Sequence, residues 1–258
     1  MDSGSNTMKA IVLSAGYGTR LGDLTRETPK PMLRLHGRPL LEYIICHLAR
    51  HGFDQIAINL HFLPEIIPAY FGNGSQFGVE LVYSYEPELL GTAGGVKNVE
   101  GFLNDGKPFL IHYGDVITDQ DFTAMLNFHQ THNALATLLL HQRIRSNSLV
   151  SLDTENRIIG FLERPTEQQR YSVNSSWTNS GIYICSPDLL NEIPERIVCD
   201  FPRDIFPRLL ATHRVFGFPL SGYRCAIDSA QRLAQAHEAI AYGRCQIQGQ
   251  KYALSPYE

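Results

Sequence analysis

Residues 13–32 read Leu-Ser-Ala-Gly-Tyr-Gly-Thr-Arg-Leu-Gly-Asp-Leu-Thr-Arg-Glu-Thr-Pro-Lys-Pro-Met, and they continue an apolar run over residues 10–13 that is typical of a buried strand. The strand is interrupted at Gly16 and Gly18, where the absence of a Cβ atom lets the backbone turn tightly against a ligand. Two positive charges near that turn come from Arg20 and Lys30. Backbone N–H groups beside an arginine and a lysine form a receptor for polyphosphate, so we predict a nucleoside triphosphate site.

Two familiar phosphate-binding loops do not match this stretch. The dinucleotide fingerprint Gly-x-Gly-x-x-Gly would need glycine where Leu21 stands, and the next strand pattern ends at Asn59 instead of an acidic residue. A Walker loop needs Gly-Lys-Ser/Thr, whereas Gly18 is followed by Thr19. The segment resembles instead the Gly-x-Gly-Thr-Arg…Pro-Lys-Pro segment of the sugar-1-phosphate nucleotidylyltransferases, also called NDP-sugar pyrophosphorylases. The full match argues against the alternative, a glycine turn with solvated basic residues.

Composition excludes several classes of protein. The 258 residues are 43% hydrophobic and 19% charged, which is typical of a globular protein with one or two domains. A net charge of −4 gives no reason to expect nucleic acid as a partner, and no apolar stretch is long enough for a membrane span. Five cysteines without a Cys-x-x-Cys pair predict reduced, packed thiols in a cytoplasmic protein. A homodimer is left open.

The first half of the chain alternates predicted strands and helices, which indicates an α/β fold with a doubly wound, mostly parallel, Rossmann-like sheet. The resemblance implies the glycosyltransferase-A-like variant of this fold. Ligands of such sheets bind beyond the carboxyl ends of the strands. The predicted strands are 10–13, 55–59, 79–83, 109–112 and 136–140, and the predicted helices are 40–51, 64–71, 96–102 and 121–132.

The second half predicts a small β insertion, a hairpin of strands 149–152 and 158–163, which the resemblance places on the sugar side of the cleft. Further strands are predicted at 180–185, 215–218 and 223–227, and helices at 187–192, 205–212 and 229–242. We expect one nucleotidyltransferase domain over residues 8–245, a tail over 246–258, and a disordered leader or expression-related remnant over 1–7, with Met8 as an alternative start. Because the sequence stops soon after its last predicted helix, we expect no second activity of the β-helix acyltransferase kind that many members of that family carry.

Two carboxylates are candidates for a magnesium site. Asp115 follows a predicted strand, and the resemblance implies that it holds the catalytic Mg²⁺, which prefers one or two carboxylates plus phosphate oxygens. The second family aspartate, in Trp-x-Asp-Ile-Gly-Thr-Pro, corresponds here to Ala226, but Asp228-Ser229 matches the Asp-Thr of glucose-1-phosphate cytidylyltransferases. Residues 226 and 228 share one face of a strand, so Asp228 is the second predicted ligand. The alternative is that Asp228 only caps the last helix.

A second glycine-rich loop, Leu-Gly-Thr-Ala-Gly-Gly at 90–95, follows Glu86. The resemblance implies that this loop receives the nucleobase, with Glu86 accepting hydrogen bonds from the base edge and Gly91 letting the backbone approach it. A carboxylate accepts from two adjacent guanine N–H donors, although it can also accept from the cytosine amino group. The sequence of this loop is most similar to that of mannose- and heptose-1-phosphate guanylyltransferases. The nucleotide-binding residues implied by the family are Leu13, Ala15, Gly16, Gly18, Thr19, Glu86, Gly91 and Thr92.

The sugar side is expected at Glu163-Arg164-Pro165 and at Asn179. In the family the first motif reads Glu-Lys-Pro, with the glutamate on sugar hydroxyls and the lysine on the sugar phosphate. Arg164 stands where the lysine is usual; a guanidinium holds phosphate bidentately, but the two residues are not interchangeable. Asn179 can both donate to and accept from hydroxyls. A solvated pair of charges at a strand end is the alternative for Glu163 and Arg164.

These residues together predict an enzyme of the 2.7.7 class of nucleotidyltransferases, which makes a nucleotide sugar and pyrophosphate from a nucleoside triphosphate and a sugar 1-phosphate with Mg²⁺. Arg20 would hold the β- and γ-phosphates, and Lys30 would stabilise the charge that develops at the α-phosphate. GTP is the favoured triphosphate. The alternatives are a glucose-1-phosphate cytidylyltransferase, a muramate- or hexose-1-phosphate uridylyltransferase, and, in another class, an inactive homologue that senses nucleotide or sugar.

Overall fold

The protein was analysed as a computed structural model, which describes residues 7–143, 146–173 and 175–247. Most of the predicted leader and tail therefore lie outside the described residues. The strands are β1 Met8–Leu13, β2 Arg34–Leu35, β3 Arg38–Pro39, β4 Phe53–Leu60, β5 Glu80–Tyr85, β6 Phe109–Tyr113, β7 Val116–Thr118, β8 Ala136–Gln142, β9 Ser148–Leu152, β10 Ile158–Glu163, β11 Trp177–Cys185, β12 Val215–Pro219 and β13 Arg224–Ala226.

The α-helices are α1 Leu40–Arg50, α2 Ile66–Phe71, α3 Gly91–Asn98, α4 Glu100–Leu103, α5 Phe122–Thr131, α6 Glu167–Ser172, α7 Phe206–Leu209 and α8 Ala230–Ala241. Short 3₁₀ turns and one π-helical turn complete the helical segments; they cover Thr19–Thr25, Lys30–Met32, Ser75–Phe77, Pro187–Glu192, Phe201–Ile205 and Leu210–Thr212. Helix α5 begins after Asp121, whose side chain accepts from Ala124 N–H and caps the helix.

Nine of the described strands form one sheet whose main path runs β10-β9-β11-β6-β1-β4-β5. The central strands β6, β1, β4 and β5 are mutually parallel, so their carboxyl ends lie along one edge. Strand β11 is antiparallel to β6, and the hairpin β9–β10 extends the same sheet at its end. The predicted α/β class with a mostly parallel central sheet is confirmed, and the predicted β insertion is an extension of that sheet.

Apolar side chains cover both faces of the sheet. Strand β1 sends Ala10 and Val12 into one buried cluster and Ile11 into the other, because alternate residues of a strand point to opposite faces. Helix α1 packs on the first face and α3 on the second, which gives a three-layer α/β/α arrangement. All five cysteines are buried thiols that form no disulfide within the described residues, as predicted for packed thiols.

Two of the differences from the sequence predictions bear on the site. Helix α3 begins at Gly91 instead of residue 96 and ends at Asn98, and α4 begins at Glu100. A short strand, β7, was not predicted; it follows Asp115 and pairs antiparallel with β13, so the segment after residue 223 is joined to the centre of the fold. No helix among the described residues combines the length and apolarity that a membrane crossing requires.

Candidate active site

Two neighbouring cavities open at the carboxyl edge of the parallel strands. The first has a volume of about 340 Å³ and the second about 190 Å³. Arg20, Tyr113 and Asp115 line both, so the two cavities are adjacent. The first cavity contains the loop after β1 and the loop after β5, and the second is bounded by β9–β11 and by the segment after β13. Ligands are expected at this edge of a doubly wound sheet.

The loop after β1 forms one wall of the first cavity. Gly18 has a φ of 67°, and a Cβ atom there would lie 3.2 Å from Lys30 Cβ, so glycine lets the lysine stem pack against the turn. Arg20 follows on an exposed 3₁₀ turn, and no described residue forms an ion pair with its guanidinium. The arginine is therefore available to an anion in either cavity. Other predicted nucleotide-binding residues of this loop that line the cavity are Leu13, Ala15, Gly16 and Thr19.

A buried hydrogen-bond chain fixes Glu86 at the first cavity. Asn59 Oδ1 accepts from Ser14 N–H at 2.6 Å, and Asn59 Nδ2 donates to Glu86 Oε1 at 2.8 Å. The second carboxylate oxygen of Glu86 accepts from Leu90 N–H at 3.1 Å. A Cβ atom at Gly95 would lie 2.7 Å from Glu86 Oε1, so glycine is needed there for the carboxylate to fit. Each oxygen is thereby oriented by one donor and keeps a further lone pair for a ligand.

The second glycine-rich loop is held by a segment about a hundred residues later in the chain. Gly91 has a φ of 76°, and a Cβ atom there would lie 2.5 Å from the Cys199 carbonyl oxygen, which accepts from the N–H groups of Ala93 and Gly94. Asp200 Oδ1 accepts from Thr92 N–H at 2.9 Å and from its hydroxyl at 3.2 Å. These contacts explain why α3 begins at Gly91, and Asp200 joins Gly91 and Thr92 in lining the cavity. No motif in the sequence had indicated Asp200.

Asp115 lies where the two cavities meet, directly after β6. Its Oδ2 accepts from Lys30 Nζ at 2.5 Å, with 29% and 16% of the two side chains exposed. A Cβ atom at Gly114 would lie 2.8 Å from the Leu13 carbonyl oxygen, so only glycine lets β6 turn this close to β1. Lys30 and Asp115 therefore meet although they are far apart in sequence.

Asp228 is close to Asp115 in the fold because Ile227 N–H donates to the Asp115 carbonyl oxygen at 2.7 Å. Asp228 Oδ1 pairs with Arg232 Nε at 3.3 Å, and the Asp228 side chain lines the second cavity. The interpretation of Asp228 as the cap of the last helix is wrong: Ser229 is the N-cap of α8, and its hydroxyl accepts from Arg232 N–H. The carboxylate of Asp228 therefore does not cap α8, although it pairs with Arg232 in the first turn of that helix.

The carboxylates of Asp115 and Asp228, where the two cavities meet, suit magnesium better than they suit a metal that needs all its ligands from protein. The described residues contain no group of three or more histidine, cysteine, aspartate or glutamate side chains that could hold a metal ion. Asp115 and Asp228 instead offer two carboxylates beside a cavity lined by Arg20 and Lys30. Mg²⁺ is commonly bound by one or two carboxylates, water and phosphate oxygens, so these residues fit it.

On the sugar side, the second cavity is lined by Glu163 and Asn179 but not by Arg164. Burial raises the pKa of the Glu163 carboxyl, and the nearby Arg164 partly opposes that shift. Asn179 is oriented by Gly181 N–H, which donates to its Oδ1, and by Tyr183, whose hydroxyl accepts from its Nδ2. Arg164 has a φ of 49° and an 81% exposed side chain, with its Nε 4.0 Å from Glu163 Oε1. The structure thus brings Glu163 and Asn179 together and leaves Arg164 outside.

Several residues of the second cavity carried no signal in the motifs. Burial lowers the pKa of His141 to about 3, and the positive charges of three arginines add to the effect, so its ring is neutral near pH 7. The same arginines lie close to the predicted sugar-binding residues. They are Arg143, Arg224 and Arg232.

Comparison with known proteins agrees with this arrangement. The sequence matches the nucleotidyl transferase family over residues 9–238. The chain belongs to that family. A UTP–glucose-1-phosphate uridylyltransferase of Synechocystis sp. is 34% identical over 219 residues, 79% of this chain and 55% of the relative. A mannose-1-phosphate guanylyltransferase of Mycobacterium tuberculosis is 32% identical over 228 residues, 85% of this chain and 60% of the relative.

This nucleotidyl transferase therefore spans 55–60% of the length of those two relatives. Its fold is shared with the crystal structure of HddC from Yersinia pseudotuberculosis complexed with GMP-PN. The TM-score is 0.75 at 20% identity, and the match covers 91% of this chain and 100% of that one. Both cavities lie within the matched family segment, since their lining residues run from Leu13 to Arg232.

Proposed function

We propose that this nucleotidyl transferase is a guanylyltransferase that condenses GTP with a sugar 1-phosphate of the mannose or heptose type, giving a GDP-sugar and pyrophosphate. The observation that carries the proposal is the buried Glu86 carboxylate at the first cavity, with each oxygen already oriented by a donor. A carboxylate presents acceptors only. Guanine offers two adjacent donors, N1–H and the N2 amino group, and is the base that such a group complements best.

Other bases complement Glu86 less well. Uracil and thymine present one N–H between two carbonyl oxygens, which a carboxylate would repel, and cytosine presents one amino group beside an acceptor. A uridylyltransferase is the second candidate, because the Synechocystis relative carries that name at 34% identity. The Mycobacterium relative, a guanylyltransferase, supports the first.

The reaction needs positioning and charge neutralisation more than proton transfer. An anionic oxygen of the sugar 1-phosphate attacks the α-phosphorus of GTP, the bond from that phosphorus to the bridging β-oxygen breaks, and pyrophosphate leaves with the electron pair. The attacking phosphate is mostly dianionic near pH 7, so no general base is required. Arg20 would bind the β- and γ-phosphates, and Lys30 would neutralise charge at the α-phosphate. Both residues line the first cavity.

Asp115 and Asp228 are the residues that would hold Mg²⁺, which would supply further neutralisation of phosphate charge. Glu163 and Asn179 would bind hydroxyl groups of the sugar, since both line the second cavity and Asn179 is fixed by two hydrogen bonds. The sugar is thereby proposed to occupy the second cavity and the nucleoside the first. The attacking and leaving groups would then meet beside Asp115.

Pyrophosphate release tests the proposal. The chain should be assayed with Mg²⁺ and each of GTP, UTP, CTP, dTTP and ATP against mannose 1-phosphate, a heptose 1-phosphate and glucose 1-phosphate. We expect GTP to give the highest kcat/KM, by about 10-fold or more, the effect of one well-placed hydrogen bond to a charged group. A higher value with UTP would replace the guanylyl assignment with the second candidate. No release with any pair would indicate an inactive homologue.

A further inference from the structure

Arg224 is a half-buried cation whose Nε atom is buried, and no ion pair within the described part of the chain neutralises it. One guanidinium nitrogen, Nη2, donates to the Ser180 carbonyl oxygen at 2.9 Å. The Nε atom is buried and finds no hydrogen-bond acceptor, and no carboxylate oxygen of the described residues lies within 4.0 Å of the group. Burial lowers the pKa of Arg224, which reflects the same loss of solvation. A buried donor without an acceptor is destabilising, and an anion that reaches Nε–H would supply that acceptor.

The other cations of the site already have partners or are exposed to water. Lys30 pairs with Asp115, and Arg232 pairs with Asp228. Arg20 is on an exposed turn, where water solvates its charge. Arg224 differs from all three because its Nε is buried and has no acceptor, and no carboxylate of the described residues pairs with it. Its Nε–H is therefore an unused anion-binding group of the cleft.

The place of Arg224 identifies which substrate it would meet. It begins β13, opposite Thr118, and the residues two and four positions later on the same side are Ala226 and Asp228. All three line the second cavity, together with the sugar-side residues Glu163 and Asn179. Arg224 is absent from the lining of the first cavity, where the triphosphate is proposed to bind. An anion that reaches Arg224 would thus belong to the sugar substrate.

The sequence suggested Arg164 as the residue that binds the sugar phosphate, but the structure places Arg164 poorly for that role. Its side chain is 81% exposed and lies outside the lining of the second cavity. An exposed guanidinium gains little from an ion pair because water and salt screen it, whereas a buried guanidinium interacts strongly. Arg224 can therefore take over the role that the usual lysine has in the Glu-Lys-Pro motif.

We propose that Arg224 binds an oxyanion of the sugar substrate through its free Nε–H edge. The inference rests on the proposed function, because it takes the second cavity as the place of the sugar. The anion that Arg224 would bind is a phosphate or carboxylate oxygen. This oxygen belongs either to the 1-phosphate itself or to a second acidic substituent on the sugar.

Calorimetric titration of the full chain with Mg²⁺ distinguishes these sources. The probes are mannose 1-phosphate and mannose 1,6-bisphosphate, added to the wild type and to Arg224→Gln, Arg164→Gln and Arg50→Gln; Arg50 is exposed at the end of α1 and serves as the control. We expect Arg224→Gln to weaken binding about 10-fold or more, as expected for the loss of charge-assisted hydrogen bonds. The Arg164→Gln and Arg50→Gln variants should stay within about 3-fold, a small change in free energy.

The pattern between the probes assigns the anion. If Arg224→Gln weakens both probes equally, the arginine holds the 1-phosphate. If Arg224→Gln weakens the binding of the bisphosphate only, down to the affinity of the monophosphate, the arginine holds a second acidic group. Wild-type affinity for both probes in Arg224→Gln, or a 10-fold loss in Arg164→Gln instead, would overturn the inference alone. A wild type that binds neither probe would overturn the proposed function with it.

A second measurement keeps the inference testable if Arg224→Gln does not fold. The measurement uses the Arg224 Nε–H resonance of ¹⁵N-labelled wild-type protein, which is assigned by its loss in Arg224→Lys. This resonance should move downfield when mannose 1-phosphate or mannose 1,6-bisphosphate saturates the chain, because a donor without a partner gains an acceptor. Saturating binding of both probes without a change in that resonance would contradict the inference.

Discussion

The two cavities are built by different physical means. The first is formed mainly by glycine-rich backbone, and two pairs of its polar side chains are tied to each other, Asn59 with Glu86 and Thr92 with Asp200. The second is lined by four arginines and three carboxylates, and one of the arginines, Arg224, has a buried Nε without a protein acceptor. Substitutions in the first should therefore change stability and base choice, whereas substitutions at the charged junction and beyond should change turnover and affinity for ions.

Lys30→Met should give the largest effect, because Lys30 is at the junction of the two cavities. We expect kcat to fall by about 100-fold or more while the dissociation constant for GTP changes far less, since the lysine meets charge that develops in the transition state. Steady-state rates and equilibrium binding of GTP measure the two quantities. Lys107→Met, an exposed lysine that lines neither cavity, is the control. Near-normal turnover in Lys30→Met would remove the lysine from the proposed chemistry.

Asp228→Asn should raise the Mg²⁺ concentration needed for half-maximal rate by about 10-fold or more, as is usual when a metal site is damaged. Folding should be little affected, because the cap of α8 is Ser229. The matched control is Ser229→Ala, which removes the cap and should cost about 1 kcal/mol of stability without changing the response to Mg²⁺. If both variants respond to Mg²⁺ like the wild type, Asp115 is left as the only proposed protein ligand.

Glu86→Gln tests the rigid network of the first cavity. Both Asn59 Nδ2 and Leu90 N–H donate to this carboxylate, so an amide at the same place would leave one of them facing another donor. We expect a loss of about 1–3 kcal/mol in the free energy of unfolding, the cost of an unpaired buried polar group. Urea denaturation measures it, with Glu88→Gln, an exposed carboxylate of the same loop, as control. Equal stability of the two variants would show that the network is not structural.

Mild acid should destabilise the core beneath the cavities. Burial lowers the pKa of His47 to about 4, and its buried Nδ1 has no acceptor for a second proton. The unfolded pKa is near 6.5, so the stabilisation is complete above that value and is lost as pH falls towards 4. Between pH 7 and 5.5 we expect a loss of about 1 kcal/mol from this histidine alone. Urea denaturation at the two pH values measures the change, and His47→Gln should reduce it by that amount.

The sequence predicts what depends on neighbouring residues and misses what depends on distant ones. The turn at Gly16 and Gly18 and the strand before Asp115 follow from local pattern, because glycine and apolar alternation act within a few residues. Asp200 and Arg224 could not be predicted in this way. Asp200 enters the first cavity only because Thr92 and Cys199 hold its segment, and Arg224 reaches the second only through the pairing of β13 with the unpredicted β7.

The contact between the Cys199 carbonyl oxygen and the start of α3 also bears on the order of assembly during synthesis. The N–H groups of Ala93 and Gly94 find their acceptor only when residue 199 is available, so this wall of the first cavity cannot be completed by an N-terminal fragment. Closing a loop of about a hundred residues is a slow, non-local step. A nascent chain that has exposed only its first four parallel strands would therefore present an unfinished cleft, and acquisition of nucleotide affinity would mark the arrival of the C-terminal half.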